Sequence, residues 1–224
     1  MIAVEPDIAR KAIALAVAVG AYGVSFGVLC GQGGLSVLQA AGFSAVVFAG
    51  SSQLAAVGVL AAGGSVASAV LSGLLLNLRT LGFGLAVSPV LGGSLPSRLL
   101  ASQLMIDESA GLALAEEDPD RSRQAYWAGG VAVFVLWNVA TLLGVTLAGA
   151  VGDHLETIGL DAAFPAAFLA LLAPRLSEAS GRIAALLGAL IAVSLIPFVR
   201  PGIPVVAAAA GAVTVLVAER LRRP

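Results

Sequence analysis

Long apolar stretches separated by short polar turns make up most of the chain. We predict about seven hydrophobic segments, and several of them reach the roughly 20 residues that a helix needs to cross a bilayer. They cover residues 8–31, 36–62, 66–87, 126–151, 159–173, 183–199 and 203–217. The pattern predicts an all-α polytopic membrane protein in which residues 1–224 form a single transmembrane domain.

The second segment contains a polar interruption in the middle of its apolar run. Gly50 loosens the backbone, and Ser51, Ser52 and Gln53 bring donors and acceptors to a place where lipid offers none. Irregular backbone at membrane depth survives only where protein buries it or where it lines a wet cavity. We predict a discontinuous helix near 48–53 whose new N-terminus supplies part of a substrate site. The alternative is one continuous helix whose serines bond back to their own carbonyls.

A second interruption is predicted in the fifth segment. Pro165 removes a helical hydrogen bond, and Asp161 precedes it in the same short span. These features predict another discontinuous helix near 161–165, in which Asp161 is a candidate proton or ammonium partner. Because the two interruptions fall at corresponding places in the two halves, an inverted repeat is a further hypothesis.

Polar side chains in apolar surroundings mark the other candidate positions. Arg79 lies near the middle of the third segment, where a charge costs on the order of 3 kcal/mol. Together with Asn77 it is a candidate substrate-binding residue, and snorkelling or a structural ion pair is the alternative for Arg79. Residues 89–123 form a polar connecting segment with an interfacial or partly inserted helix. Within it, Asp107 and Glu108 are candidate proton or ammonium partners.

The first segment carries a doubled G-x-x-x-G pattern at Gly23, Gly27 and Gly31. Small residues at this spacing let a second helix approach closely, which substitutes for the hydrophobic driving force that is absent in lipid. The pattern predicts a packing face, either within the chain or toward a partner subunit.

Composition agrees with a bilayer environment and excludes several functions. The chain is 59% hydrophobic and 11% charged, its mean hydropathy is +1.01 and its net charge is -1. This charge provides no basic footprint, so nucleic acid is not expected as a partner. His154 is the only histidine, and Walker A and nucleophile-elbow patterns are absent from the sequence. We therefore expect no metal, no cofactor and no enzymatic activity.

Lys and Arg residues in short loops indicate the orientation. The arginines at 98, 121, 123, 175, 182, 220, 222 and 223 fall on one side if the last four segments alternate, whereas residues 152–158 contain no Lys or Arg. The sequence predicts a multi-pass protein of the inner (plasma) membrane with a cytoplasmic C-terminus.

Four stretches occur in an order and at a spacing that are found in a known family. They are Phe48-Ala49-Gly50-Ser51-Ser52-Gln53, Asn77-Leu78-Arg79, Ile106-Asp107-Glu108 and residues 159–166. With them the chain resembles the AzlC family, the large subunit of two-component branched-chain amino acid exporters. Thr80 departs from the family pattern, which has His after Asn-Leu-Arg, so this position lacks the titratable group of a proton relay.

The resemblance implies a transporter that exports branched-chain or other small apolar amino acids, is driven by the proton gradient and assembles with a small AzlD-type membrane subunit. Composition and spacing do not identify the amino acid. From the residues alone, a passive channel and a structural membrane subunit without its own pathway remain alternatives. An intramembrane enzyme is disfavoured because no nucleophile has a histidine or lysine base nearby in the sequence.

Overall fold

The computed structural model describes residues 4–151, 169 and 172–222, and every element in those ranges is helical. The α-helices are α1 (Pro6–Gln32), α2 (Val37–Val47), α3 (Gly50–Ala61), α4 (Val66–Asn77), α5 (Arg79–Leu91), α6 (Leu95–Gln103), α7 (Asp107–Leu114), α8 (Pro119–Val151), α9 (Ala179–Leu195) and α10 (Ile203–Arg222). A short 3-10 helix precedes α9. The predicted all-α class is confirmed.

Four of the described spans are long and apolar enough to cross a membrane. They are Pro6–Gln32, Val66–Leu91, Pro119–Ala150 and Ile203–Leu221. Three shorter apolar helices, α2, α3 and α9, accompany them. This set of long and short apolar helices is that of a multi-pass membrane protein.

The second segment is broken where the sequence predicts it. Ser36 accepts a hydrogen bond from the Gln39 amide and starts α2, which ends at Val47. Phe48 has φ 20° and ψ 67°, outside helical geometry, and α3 begins at Gly50. The prediction of a discontinuous helix near 48–53 is therefore confirmed.

The third segment differs from its prediction in two ways. A local irregularity at Leu78 separates α4 from α5 within the long span, so Arg79 is the first residue of α5. The helix also continues through Pro89 to Leu91 instead of ending before the proline. The irregularity places Arg79 at a helix start rather than in a helix interior.

Two short helices, α6 and α7, lie within the polar connecting segment, and residues 104–106 join them. Ser109 holds this joint: its hydroxyl donates to Leu104 O at 2.7 Å and accepts from Ile106 N at 3.1 Å. α7 packs against α8 and α5. An interfacial or partly inserted position for these helices stays a prediction.

The helices α1 and α8 pack against each other and run parallel. A Cβ atom added to Gly23 would lie 2.9 Å from Ala140 Cβ, and one added to Gly31 would lie 2.7 Å from Ala148 Cβ. Between them, Gly27 lies directly against the α8 backbone. Residue numbers at these contacts increase in the same direction along both helices, so α1 and α8 run parallel. The glycine face predicted from the sequence is thus occupied within the chain.

A cluster of ion pairs joins the N-terminal ends of α1 and α8. Arg121 binds Glu5, Asp7 at 2.7 Å and Glu116 at 2.8 Å, and Lys11 binds Glu116 at 2.8 Å. The hydrogen bonds from Lys11 and Arg121 lower the pKa of the Glu116 carboxyl below its usual range. This end of the parallel pair is held by charge, and small residues bring the two helices close together further along.

The helices α9 and α10 form a pair that packs on itself and touches α4 through α10. A Cβ atom on Gly211 would lie 2.6 Å from Gly188 N, which shows how closely the two backbones approach. The predicted interruption near 161–165, together with Asp161, lies outside the described residues. The inverted repeat stays a prediction for the same reason.

Candidate functional site

A cavity of about 150 Å³ lies beside the break between α2 and α3. One part of its lining is polar, with side chains from Ser51, Asn77, Arg79, Thr80, Asp107 and Glu108. The other part is apolar and includes Val19, Tyr22, Leu54, Ile106, Val133 and Trp137. A cavity with a few convergent polar groups in an apolar wall is the usual form of a small-molecule site.

Arg79 connects the polar residues of this cavity. Its Nη1 lies 2.7 Å from Asp107 Oδ2, and its Nη2 donates to Ser51 Oγ at 2.6 Å. The side chains of Arg79 and Asp107 are 42% and 37% exposed, so this ion pair faces open space rather than packed protein. Because Arg79, Asp107 and Ser51 all lie in first helical turns, the starts of α5, α7 and α3 converge here.

The start of α3 has no side-chain cap. Its first backbone hydrogen bond runs from Gln53 N to Ala49 O at 2.9 Å, so the amides of Gly50, Ser51 and Ser52 precede it. These amides have no acceptor among the described residues. Free amides and the positive end of the helix dipole make such a terminus a site for an anion.

The structure separates the three polar residues that follow Gly50. Only Ser51 lines the cavity. Ser52 lines a groove between α2, α3 and α4, and its buried Oγ has no partner among the described residues. Gln53 is fully buried and its Nε2 donates back to α2. Since successive helical residues project about 100° apart, three in a row cannot face one cavity.

The other predicted site residues within the described ranges come together. Asn77, Arg79, Asp107 and Glu108 all line the cavity beside Ser51, although they span three helices. Glu108 makes no salt bridge in the part of the chain that the structure describes, in contrast to Asp107. A cation therefore finds two carboxylates in the cavity, of which one is already paired with Arg79.

Thr80 also lines the cavity, at the position where the resemblance to the AzlC family implies a histidine. Its hydroxyl donates to Asn77 O at 2.8 Å and so returns to the local backbone. This hydrogen bond fixes the Thr80 side chain at the irregular joint between α4 and α5. Thr80 therefore contributes to the shape of the cavity, and its hydroxyl proton is already donated within the protein.

Trp137 forms the cavity wall beside the break, a role that the sequence does not indicate. The ring is 3% exposed and stacks on Phe26 with centroids 5.8 Å apart. A Cβ atom on Gly50 would lie 3.2 Å from Trp137 Cη2, so any side chain at this position would press against the indole. A tryptophan in the middle of an apolar helix carries no sequence signal that separates a cavity wall from ordinary packing.

Two glutamines cover the carbonyl end of α2. Gln53 Nε2 donates to the carbonyl oxygens of residues 43 and 44 at 3.1 and 3.3 Å. Gln103 Nε2 donates to those of residues 45 and 46 at 2.8 and 3.1 Å. No sequence signal singles out Gln103, because a lone glutamine at the end of a polar helix usually faces solvent.

The chemistry of the cavity suits a small zwitterion. Arg79 and the free amides of α3 attract an anion, Asp107 and Glu108 attract a cation, and the apolar wall receives hydrocarbon. Within the described ranges no group of three His, Cys, Asp or Glu side chains is placed to hold a metal ion. The site is therefore described by its charges, hydrogen bonds and apolar wall.

The profile of the AzlC protein matches residues 14–151, more than half of the chain. The match runs from within α1 to the end of α8 and includes every residue named above as lining the cavity. Comparison with curated proteins and with solved structures gave no match. AzlC proteins are a membrane family associated with transport rather than with enzymatic catalysis. By the extent of the profile match, the chain belongs to the AzlC family.

Proposed function

We propose that the chain exports branched-chain or other small apolar amino acids across the inner (plasma) membrane. The observation that carries this proposal is the cavity at the broken helix, where Arg79, two carboxylates and an apolar wall lie together. A free amino acid presents a carboxylate, an ammonium group and a hydrocarbon side chain, and each has a counterpart in the cavity. Ionisable groups of this kind inside a membrane protein mark a substrate pathway.

The substrate carboxylate binds Arg79 and the free amides of α3. In the structure Asp107 occupies one side of the guanidinium at 2.7 Å, and Ser51 occupies another at 2.6 Å. The incoming carboxylate therefore competes with Asp107 for Arg79. A guanidinium presents several donors in a fixed fork, so it accepts the new partner without leaving Ser51.

The carboxylate that is displaced from Arg79 becomes available to the other end of the substrate. Asp107 then meets the ammonium group, and Glu108, which has no salt bridge in the described structure, carries the coupled proton. Asp161 is a further candidate for either role, and it lies outside the described residues. This arrangement links substrate binding to protonation through one guanidinium and its neighbours.

The proposal includes a small AzlD-type membrane subunit and a cytoplasmic C-terminus. The glycine face of α1 is occupied by α8, so the small subunit binds another surface of the chain. The cytoplasmic C-terminus follows from the distribution of arginines in the short loops.

Counterflow of labelled leucine in proteoliposomes that contain the full chain and the small subunit tests the proposal. Arg79→Gln removes charge-assisted hydrogen bonds worth about 1.5–3 kcal/mol, so we expect KM to rise at least about tenfold. Arg98→Gln makes the same chemical change at an exposed position and should leave KM unchanged. Unaltered leucine exchange by Arg79→Gln would contradict the site assignment.

Substrate analogues and pH separate the parts of the proposal. Leucinamide lacks the carboxylate and 4-methylpentanoate lacks the ammonium group, so both should compete poorly with leucine. An imposed pH gradient should drive net leucine flux, and Glu108→Gln should retain leucine exchange but lose this drive. Flux that ignores the gradient would indicate a passive channel.

A further inference from the structure

The carbonyl end of α2 would be an exposed defect without the two glutamines. The last carbonyls of a helix lack intrahelical partners, and at membrane depth an unpaired carbonyl is costly. Here four consecutive carbonyls, of residues 43–46, accept hydrogen bonds from only two side-chain amides. Gln53 comes from the other half of the same broken helix, whereas Gln103 reaches over from α6.

We propose that Gln103 is a positioning residue of the transport site, an inference that rests on the export function proposed above. Gln103 is the last residue of α6, and Asp107, four positions later, is the first residue of α7. Asp107 binds Arg79, which binds Ser51 at the start of α3. One short stretch of chain therefore holds both sides of the break: α2 through Gln103, and α3 through Asp107 and Arg79.

The joint between α6 and α7 is rigid enough to keep these contacts with α2 and α3 in a fixed relative position. Leu104 and Ile106 are buried, and the Ser109 hydroxyl ties both to the first turn of α7. Because the joint is packed and hydrogen-bonded, the distance between Gln103 and Asp107 is fixed. Gln103 thereby sets where the carbonyl end of α2 lies relative to Arg79 and to the free amides of α3.

The chemistry of the side chain explains why an amide suits this position. One NH₂ group carries two hydrogens, and Gln103 Nε2 uses them for two successive carbonyls. A methionine has nearly the same length and no donor. A lysine retains donors on a long chain, and its charge is favourable at the negative end of a helix.

Leucine counterflow with Gln103→Met, Gln103→Lys and the neighbouring control Ser102→Ala tests the inference. The control removes a hydroxyl that, among the described residues, donates a hydrogen bond to Arg98 O within α6. We expect Gln103→Met to raise KM about tenfold while Vmax stays within about twofold, because the binding groups lose their relative positions. Gln103→Lys should restore KM, and Ser102→Ala should match the wild type. A fall in Vmax with KM unchanged would assign a merely structural role and overturn the inference.

A labelling experiment tests, without any substrate, whether Gln103 keeps the two sides of the break in position. Ala49→Cys places a thiol in the break, where Ala49 is 7% exposed, and the native Cys30 is fully buried and gives little background. Gln103→Met should speed reaction with a water-soluble thiol reagent about tenfold, and Gln103→Lys should reverse this effect. If Gln103→Met speeds labelling but the protein exchanges no amino acid, the export function is overturned, whereas the role of Gln103 in positioning the two sides of the break stands. Unchanged labelling and KM would overturn the role of Gln103 alone.

Discussion

Replacing Gly27 with alanine should force α1 and α8 apart. The added Cβ would overlap Thr141 O and lie 2.8 Å from Val145 N and 2.9 Å from Gly144 Cα. These atoms belong to the α8 backbone, which cannot rotate aside as a side chain can. The two helices must therefore separate, and a gap of roughly 0.5–1 Å forfeits a quarter to a half of each dispersion contact along the seam.

The expected loss of stability follows from two opposing effects. Overpacking of a close interface costs about 1–3 kcal/mol, and the rigid backbone contact places Gly27 at the upper end. Alanine recovers about 0.5–1 kcal/mol through its better helix propensity. The net destabilisation is then about 2 kcal/mol, which corresponds to a fall in Tm of roughly 4–8 °C for a chain of this size.

Thermal unfolding of the purified chain in detergent measures this loss. Gly149→Ala is the matched control: it lies in α8, it is exposed, and an added Cβ would meet nothing within 4 Å. The control should be as stable as the wild type or slightly more stable. Equal Tm values for Gly27→Ala and Gly149→Ala would refute the close parallel packing of α1 and α8.

Two further predictions concern the cavity wall and the charged end of the α1–α8 pair. Gly50→Ala would bring a Cβ to 3.2 Å from Trp137 Cη2, so leucine KM should rise severalfold in counterflow, and an unchanged KM would contradict the tight wall. Lys11 and Arg121 lower the pKa of Glu116. The stability that the Glu116 carboxylate contributes to the folded protein is therefore complete above about pH 4.3 and is lost as pH falls through the lowered pKa. The difference in stability between wild type and Glu116→Gln should therefore shrink as pH is lowered below about 4.3, and a constant difference would argue against this cluster.

The sequence was sufficient for the fold class and for locating the interruption. Glycine and three polar residues inside an apolar run indicate backbone released from its own helix at membrane depth, and the structure favours this explanation over a continuous helix whose serines bond back to their own carbonyls. The same reasoning singled out Arg79 and Asp107, because a charge in apolar surroundings needs a partner. Their pairing at 2.7 Å joins two positions that the sequence offered separately.

The sequence alone does not predict the directions of the side chains around the break. Ser51, Ser52 and Gln53 are equivalent as polar residues, and only the rotation of α3 decides that Ser51 alone faces Arg79. Gln103 lies 58 positions from the first carbonyl that it binds, so no local pattern reveals the contact. Long-range contacts of single side chains depend on how helices dock, which periodicity does not encode.

The glycine pattern shows an intermediate case. Its spacing predicts close helix packing, but it does not say which helix approaches. The structure supplies α8, in parallel orientation, where the sequence also allowed a partner subunit. A face of small residues predicts a short distance between two helix backbones. The fold determines which helix supplies the second backbone.

Hydrogen exchange at the amides of Gly50, Ser51 and Ser52 tests the central claim most directly. If the helix is broken at this point and these amides receive the substrate carboxylate, they exchange rapidly in the empty protein, and saturating leucine slows them at least about tenfold. Slow exchange without leucine would show a continuous helix. Rapid exchange that bound leucine leaves unchanged would place the substrate elsewhere.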